Sequence, residues 1–139
     1  MLTADEFVEN FEFLDDWDAR YAYLVELGEA LPPLDEGLRT EENRVQGCIS
    51  KVWVAPLADP QGQGRIRYVG DCDTAIIKGV LAVLVELLSG HTAQEIEALD
   101  IDALFDRIRL AENLSPNRHF GIYAIVELMT SQARAFAHR

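Results

Sequence analysis

Two thiols are the strongest candidate nucleophiles in this 139-residue chain, Cys48 and Cys72. Cys48 lies in Arg44-Val45-Gln46-Gly47-Cys48-Ile49-Ser50, followed by Lys51. A glycine just before a cysteine lets the backbone bend and lets a second reactive centre come close. Arg44 and Lys51 would favour the thiolate, which is the reactive form. Two readings stay open on these residues alone: a reactive thiol, or a small buried hydrophobe of the kind free cysteines often are. Cys72 sits in Gly70-Asp71-Cys72-Asp73, where two flanking carboxylates would raise its pKa and blunt it. It reads as an incidental small side chain in a tight loop, with Asp73 or Asp71 capping the next helix through Thr74. A third candidate is Leu114-Ser115-Pro116-Asn117-Arg118-His119-Phe120-Gly121. It puts Arg118 in a first helical turn, where a cation is electrostatically misplaced. Either Arg118 pairs with a carboxylate or a partner group, or it is a surface arginine with its stem packed down.

Other chemistries find no support. His91, His119 and His138 are scattered, and with two cysteines they give no close metal-ligand spacing. Gly-x-Gly-x-x-Gly, a phosphate loop and Gly-x-Ser-x-Gly are all missing from the sequence, so nucleotide and serine-hydrolase signatures are lacking. Cysteine chemistry is the lead, and no metal or cofactor is expected in the chain itself.

The elements that would position these residues follow from periodicity. Thr3 and Glu6 match a capping box, and Phe7, Phe11 and Leu14 recur at helical spacing, predicting a short first helix that Asp15-Asp16 interrupts. Trp17, Tyr21, Leu24 and Leu27 form one stripe of a second helix over residues 16–30, ended by Leu31-Pro32-Pro33. Residues 33–50 have no steady period and read as a long irregular segment, which in a compact domain tends to be functional. The period then becomes two. Val52 and Val54 predict a strand, residues 59–64 a hairpin connection, and residues 65–69 a returning antiparallel strand. One or two further strands could flank these, for instance over residues 44–48. Asp73-Thr74 opens a helix to Leu88, with Gly90 as its stop. His91-Thr92 leads into a helix over Ala93–Ala98, and Asp100 or Asp102 into another near residues 104–107. Ser115-Pro116 starts the last helix. The expectation is one α+β domain spanning residues 1–139, a small antiparallel sheet packed with helices.

Charge and composition limit the partners. Twelve basic and 24 acidic residues give a formal charge of −12, which repels phosphate backbones and argues against general nucleic-acid binding. The same field suits either plain solubility or a partner with a basic docking patch. No apolar run reaches the roughly 18 residues a membrane span needs, and the acidic start Met1-Leu2-Thr3-Ala4-Asp5-Glu6 is unlike a secretion signal. A cytoplasmic location with both thiols reduced at rest is expected.

The stretch Arg44-Val45-Gln46-Gly47-Cys48-Ile49-Ser50-Lys51-Val52-Trp53 resembles the signature of SufE-type sulfur acceptors, the SufE and CsdE proteins. Further segments resemble the family in order and spacing: Glu26-Leu27-Gly28 with Leu31-Pro32, Gly70-Asp71-Cys72-Asp73 with Ile77-Lys78-Gly79, and Leu114-Ser115-Pro116-Asn117-Arg118 with Gly121. The resemblance covers nearly the whole chain. It implies a fold shared with IscU-type scaffolds. It also implies a function: sulfur acceptor and activator of a pyridoxal-phosphate cysteine desulfurase of the SufS or CsdA type. In such a pair the desulfurase carries the cofactor and Cys48 takes the persulfide sulfur for iron–sulfur cluster assembly. By the same resemblance Asp73 matches an acidic residue near the acceptor cysteine, and Arg118 an arginine near the partner interface. Gly47 and the irregular segment could let the loop swing outward. Cys72 departs from the family, where serine is common. If its loop adjoins that of Cys48, an intramolecular disulfide under oxidation is one outcome and no role is the other.

Three alternatives compete. An allosteric activator would stimulate the desulfurase with Cys48 dispensable. An iron–sulfur or zinc scaffold would need three or four ligands where two thiols exist. A stand-alone thiol enzyme would need a base from elsewhere in the chain.

Overall fold

A computed structural model describes residues 3–47 and 50–137, the side chains of Ala111, Asn117 and Arg118 excepted. Thr3 caps α1 (Ala4–Phe13) by accepting from the Glu6 amide at 3.1 Å. Asp16 caps α2 (Trp17–Glu29) by accepting from the Ala19 amide at 2.8 Å. These N-caps satisfy amides that have no partner within the helix. The expected irregular segment follows, with only a 3₁₀ turn at Glu36–Leu38.

β1 (Val52–Ala58) and β2 (Arg65–Cys72) form the expected antiparallel hairpin, with Val52 opposite Cys72 and Ala58 opposite Ile66. Strand β2 is three residues longer than the alternation predicted, so Cys72 ends a strand and is 6% exposed, rather than sitting in a loop. The expected flanking strand over residues 44–48 is a single bridge, Arg44 to Trp53. A third strand arises elsewhere: β3 (His91–Thr92) pairs with Arg65 and Ile66. Two residues carry no readable period, so this strand was invisible as alternation.

Helix α3 (Ala75–Leu88) is apolar nearly all round, as a helix buried on several sides must be. Leu81, Leu84 and Leu88 are at most 1% exposed. One side meets the sheet, where Leu81 covers Gly70; the other meets α2. That crossing is close because both helices carry glycine there. A Cβ on Gly79 would lie 2.1 Å from the Leu24 carbonyl oxygen, and one on Gly28 2.9 Å from the Gly79 nitrogen. Gly90, at φ +83°, turns the chain after α3, as expected of glycine beyond a helix C-terminus.

Thr92 and Glu95 form a full capping box for α4 (Ala93–Ala98), the helix expected over those residues. α5 (Ile101–Arg107), capped by Asp100, starts three residues before the predicted stretch. A 3₁₀ turn, Ala111–Asn113, leads to α6 (Pro116–Ala137), which starts at the predicted proline. Ile122, Ile125 and Met129 of α6 are buried, and the Tyr68 hydroxyl donates to the Met129 carbonyl at 2.6 Å, joining β2 to α6 across the core. The result is an α+β architecture with a small antiparallel sheet packed against helices. No helix among the described residues is long and apolar enough to cross a membrane.

Candidate functional site

Cys48 and Ile49 lie outside the described residues, but the chain on both sides is fixed. The Val45 amide donates to the Val52 carbonyl at 2.9 Å, and the Val54 amide to the Asn43 carbonyl at 2.9 Å. The chain that leaves at Val45 and returns at Val52 is therefore pinned at both ends to the edge of β1. Gly47 adopts φ +82°, a left-handed conformation that side chains with a Cβ disfavour. Among the described residues nothing lies within 4 Å of where its Cβ would be, so backbone conformation and not crowding by them is what calls for glycine.

The returning limb is tied to the end of β2. Lys51 and Asp73 are joined twice: the Asp73 amide donates to the Lys51 carbonyl at 3.1 Å, and the Lys51 amide to the Asp73 carboxylate at 3.0 Å. Beside them the Ser50 and Thr74 hydroxyls are 2.6 Å apart. Asp73 was expected to cap α3 with Thr74. Instead Thr74 occupies the N-cap position without a side-chain capping bond, because its hydroxyl is engaged with Ser50 and donates to Asp73 at 3.2 Å. Asp71, the other capping candidate, points into a different cluster. The Cys72 sulfur accepts from the Thr74 amide at 3.4 Å and lies 3.6 Å from the Thr74 carbonyl. The sequence segments holding Cys48 and Cys72 thus adjoin at residues 50–51 and 73–74.

Arg44 is half-buried and lies 3.8 Å from Glu41, so its charge is shared with a carboxylate, while the Lys51 side chain is exposed. Arg118 falls in the first turn of α6, as predicted, with its side chain outside the described set. His119 packs edge-on against Tyr123 at 4.8 Å between ring centroids. Among the described residues, no three His, Cys, Asp or Glu side chains are grouped to hold a metal.

Arg39, Asn43 and Gln132 were not singled out in the sequence, and Asp71, Trp53 and Lys78 were given other parts there than the one they play in positioning the site. Asp71 accepts from Arg39 at 2.7 Å and from the Cys72 amide at 2.8 Å, and lies 3.2 Å from the Lys78 ammonium. Its partial burial would raise the carboxyl pKa, but Arg39, the Cys72 amide and Lys78 outweigh that and hold it below the ordinary value. The Arg39 guanidinium also stands 5.1 Å from the centre of the Trp53 ring, a cation–π distance. Trp53 is the cross-strand partner of Asp71, so one arginine clamps the irregular segment onto both strands. Behind it the Gln132 amide of α6 donates to the Val54 carbonyl at 2.8 Å and reaches Asn43 at 3.4 Å. The signal for the Asp71–Trp53 pair was available: extending the hairpin register by two residues places them opposite each other.

This arrangement is a cysteine loop with a fixed base, short ties to a neighbouring strand end, and charged groups of both signs close by. A solved structure with the same fold is the solution structure of a hypothetical protein from Thermus thermophilus, with a TM-score of 0.78 over 98% of this chain and 96% of that one. At 21% identity this likeness concerns the fold alone. An uncharacterized SufE-like protein of Rhizobium etli is 41% identical over 138 residues, covering 99% of this chain and 93% of its own length. Another, of Rhizobium meliloti, is 37% identical over 134 residues, with 96% of each chain covered. The family described as "SufE: Fe-S metabolism associated domain" matches residues 5–133, from the first turn of α1 into the last turns of α6. On that match and those relatives, the chain belongs to the SufE family, whose general role is sulfur transfer with cysteine desulfurases.

Proposed function

We propose that Cys48 accepts sulfur from the persulfide of a pyridoxal-phosphate cysteine desulfurase and that the chain passes it to iron–sulfur cluster assembly. The observation that carries this reading is the family match over residues 5–133, which runs through the loop bearing Cys48. The Cys48 thiolate attacks the outer sulfur of the partner's persulfide. A new S–S bond forms on Cys48 as the partner's S–S bond breaks, and the partner's cysteine leaves as a thiolate. One sulfur atom moves, and no external oxidant or reductant is consumed.

Covalent connectivity supports the geometry. Cys48 is three Cα–Cα steps from Val45, so its Cα stays within about 11 Å of a fixed point on the sheet edge. The loop tip can reach into a partner's site, and the clasp at its base keeps the rest of the fold in place. Arg44 and Lys51, on the two limbs, add positive charge that favours the thiolate. Asp73 and Arg118, carried over by position, would border the partner. A chemistry that depends on reduced thiols belongs in a reducing compartment, the cytoplasm.

The test is incubation with a cysteine desulfurase and free cysteine, followed by an intact mass without reductant. Transfer adds the mass of one sulfur atom to the wild-type protein, reversibly with reductant, and adds nothing to Cys48→Ala. Raised desulfurase turnover without added sulfur would replace transfer with allosteric activation.

A further inference from the structure

The second edge of β2 is paired over only part of its length. Even-numbered residues of β2 point their backbone groups away from β1: Ile66 accepts from the Gly90 amide at 2.8 Å, and the Tyr68 amide donates to the Ser89 hydroxyl at 3.0 Å. The β1 side obeys the same parity, since Val54, opposite Gly70, bonds outward to Asn43 and Gln132. Strand β3 covers only Arg65 and Ile66. Beyond it, among the described residues, no hydrogen bond reaches the Tyr68 carbonyl or the amide and carbonyl of Gly70.

An open cavity of about 630 Å³ lies along these atoms. Val83 and Val85 of α3 line it, with Leu27 and Leu31 at the end of α2. Asp59 and Glu86 add acid to its rim and Arg67 a single cation, in a chain whose net charge is −12.

The geometry points to a docking site for an extended peptide segment of a partner protein, added as a strand beside β2. The unpaired backbone atoms choose the occupant. A strand residue opposite Gly70 both donates to its carbonyl and accepts from its amide, and the residue two further on donates to the Tyr68 carbonyl, giving three main-chain bonds. Alternate apolar side chains of the guest cover Leu27 and Leu31, which are half-buried, and basic residues at its ends meet Asp59, Glu86 and the wider negative field. Buried backbone groups next to apolar walls cost free energy while unpaired, so pairing them is favourable. None of these residues belongs to the Cys48 loop, so the docking site stands independently of the sulfur-transfer reading.

The probe is an end-blocked heptapeptide of alternating valine and threonine with a lysine at each end, titrated into ¹⁵N-labelled full-length protein. Two further versions carry N-methyl groups on one or the other alternate set of amides. We expect the parent peptide to shift the Gly70 amide resonance and slow its hydrogen exchange by on the order of tenfold or more. One methylated version should lose this effect and the other keep it. Leu31→Glu should weaken binding while leaving sulfur acceptance on Cys48 unchanged. The proposal is overturned if the Gly70 amide is already protected in the free protein, or if no peptide moves it at millimolar concentration. It is equally overturned if both methylated versions bind like the parent, since the cleft then takes apolar groups without pairing a strand.

Discussion

Replacing Asp71 by asparagine isolates the charge at the centre of the cluster beside the loop. The amide keeps the shape and one oxygen, so the bond from the Cys72 amide at 2.8 Å can survive. What is lost is charge opposite Arg39 at 2.7 Å and Lys78 at 3.2 Å, together with the second oxygen that accepts from Arg39, which an amide nitrogen cannot replace. The Asp71 side chain is 23% exposed, so these contacts are neither fully screened nor fully desolvated. Arg39 also retains Glu36 at 3.2 Å and the Trp53 ring, which limits the damage. Two partly buried, charge-assisted contacts place the loss at about 1–2 kcal/mol at neutral pH. The pH dependence gives a sharper test. The folded-state pKa of Asp71 is depressed, so its contribution is complete above the unfolded carboxylate pKa of about 3.9 and fades as pH falls through the lower folded value. Urea unfolding of both proteins, compared at constant m, should therefore show a gap at pH 7 that closes in strong acid. Equal midpoints at pH 7, or a gap that persists in acid, would refute the electrostatic account of this cluster.

Gly79→Ala should destabilise by about 1–3 kcal/mol despite the better helix propensity of alanine, because its Cβ meets the Leu24 backbone at 2.1 Å; a denaturant midpoint at or above wild type would contradict the crossing. Combined with Gly28→Ala the losses should be non-additive, since both act on one contact. Tyr68→Phe removes the donor to the Met129 carbonyl and should cost about 1–2 kcal/mol by chemical denaturation. Thr92→Ala breaks the capping box of α4 and should cost about 1 kcal/mol, with raised amide exchange confined to residues 93–98.

Periodicity exposed the elements that bury a face over many residues. The hairpin, α2 and α3 were readable because alternation or a helical stripe runs through each, Ser115-Pro116 marked the start of α6, and caps such as Thr3 and Thr92 marked those of α1 and α4. Strand β3 escaped because two residues have no period. The last residues of β2 escaped because Gly70-Asp71 reads as a turn, although Leu81 and the partner strand hold it extended. The site was legible in part. Gly47 owes its place to a left-handed backbone, a property of residue type that sequence can signal. Arg39, Asp71 and Lys78 are brought together by tertiary packing from three separate segments, and the misplaced capping role for Asp73 has the same origin. Local sequence offered Asp73 a helix N-terminus, whereas the folded chain brought it the Lys51 amide.

The Val45–Val52 clasp has a consequence for how this protein can change. A closed loop pays for extra length only logarithmically: doubling its six residues would cost about 0.6 kcal/mol of folding stability. The same doubling would lengthen the tether of the cysteine by several residues at roughly 3.3 Å each. Reach toward a partner can thus be adjusted by insertion or deletion while the register of β1 stays untouched. Fitting a deeper or shallower catalytic pocket requires new chain only between residues 45 and 52.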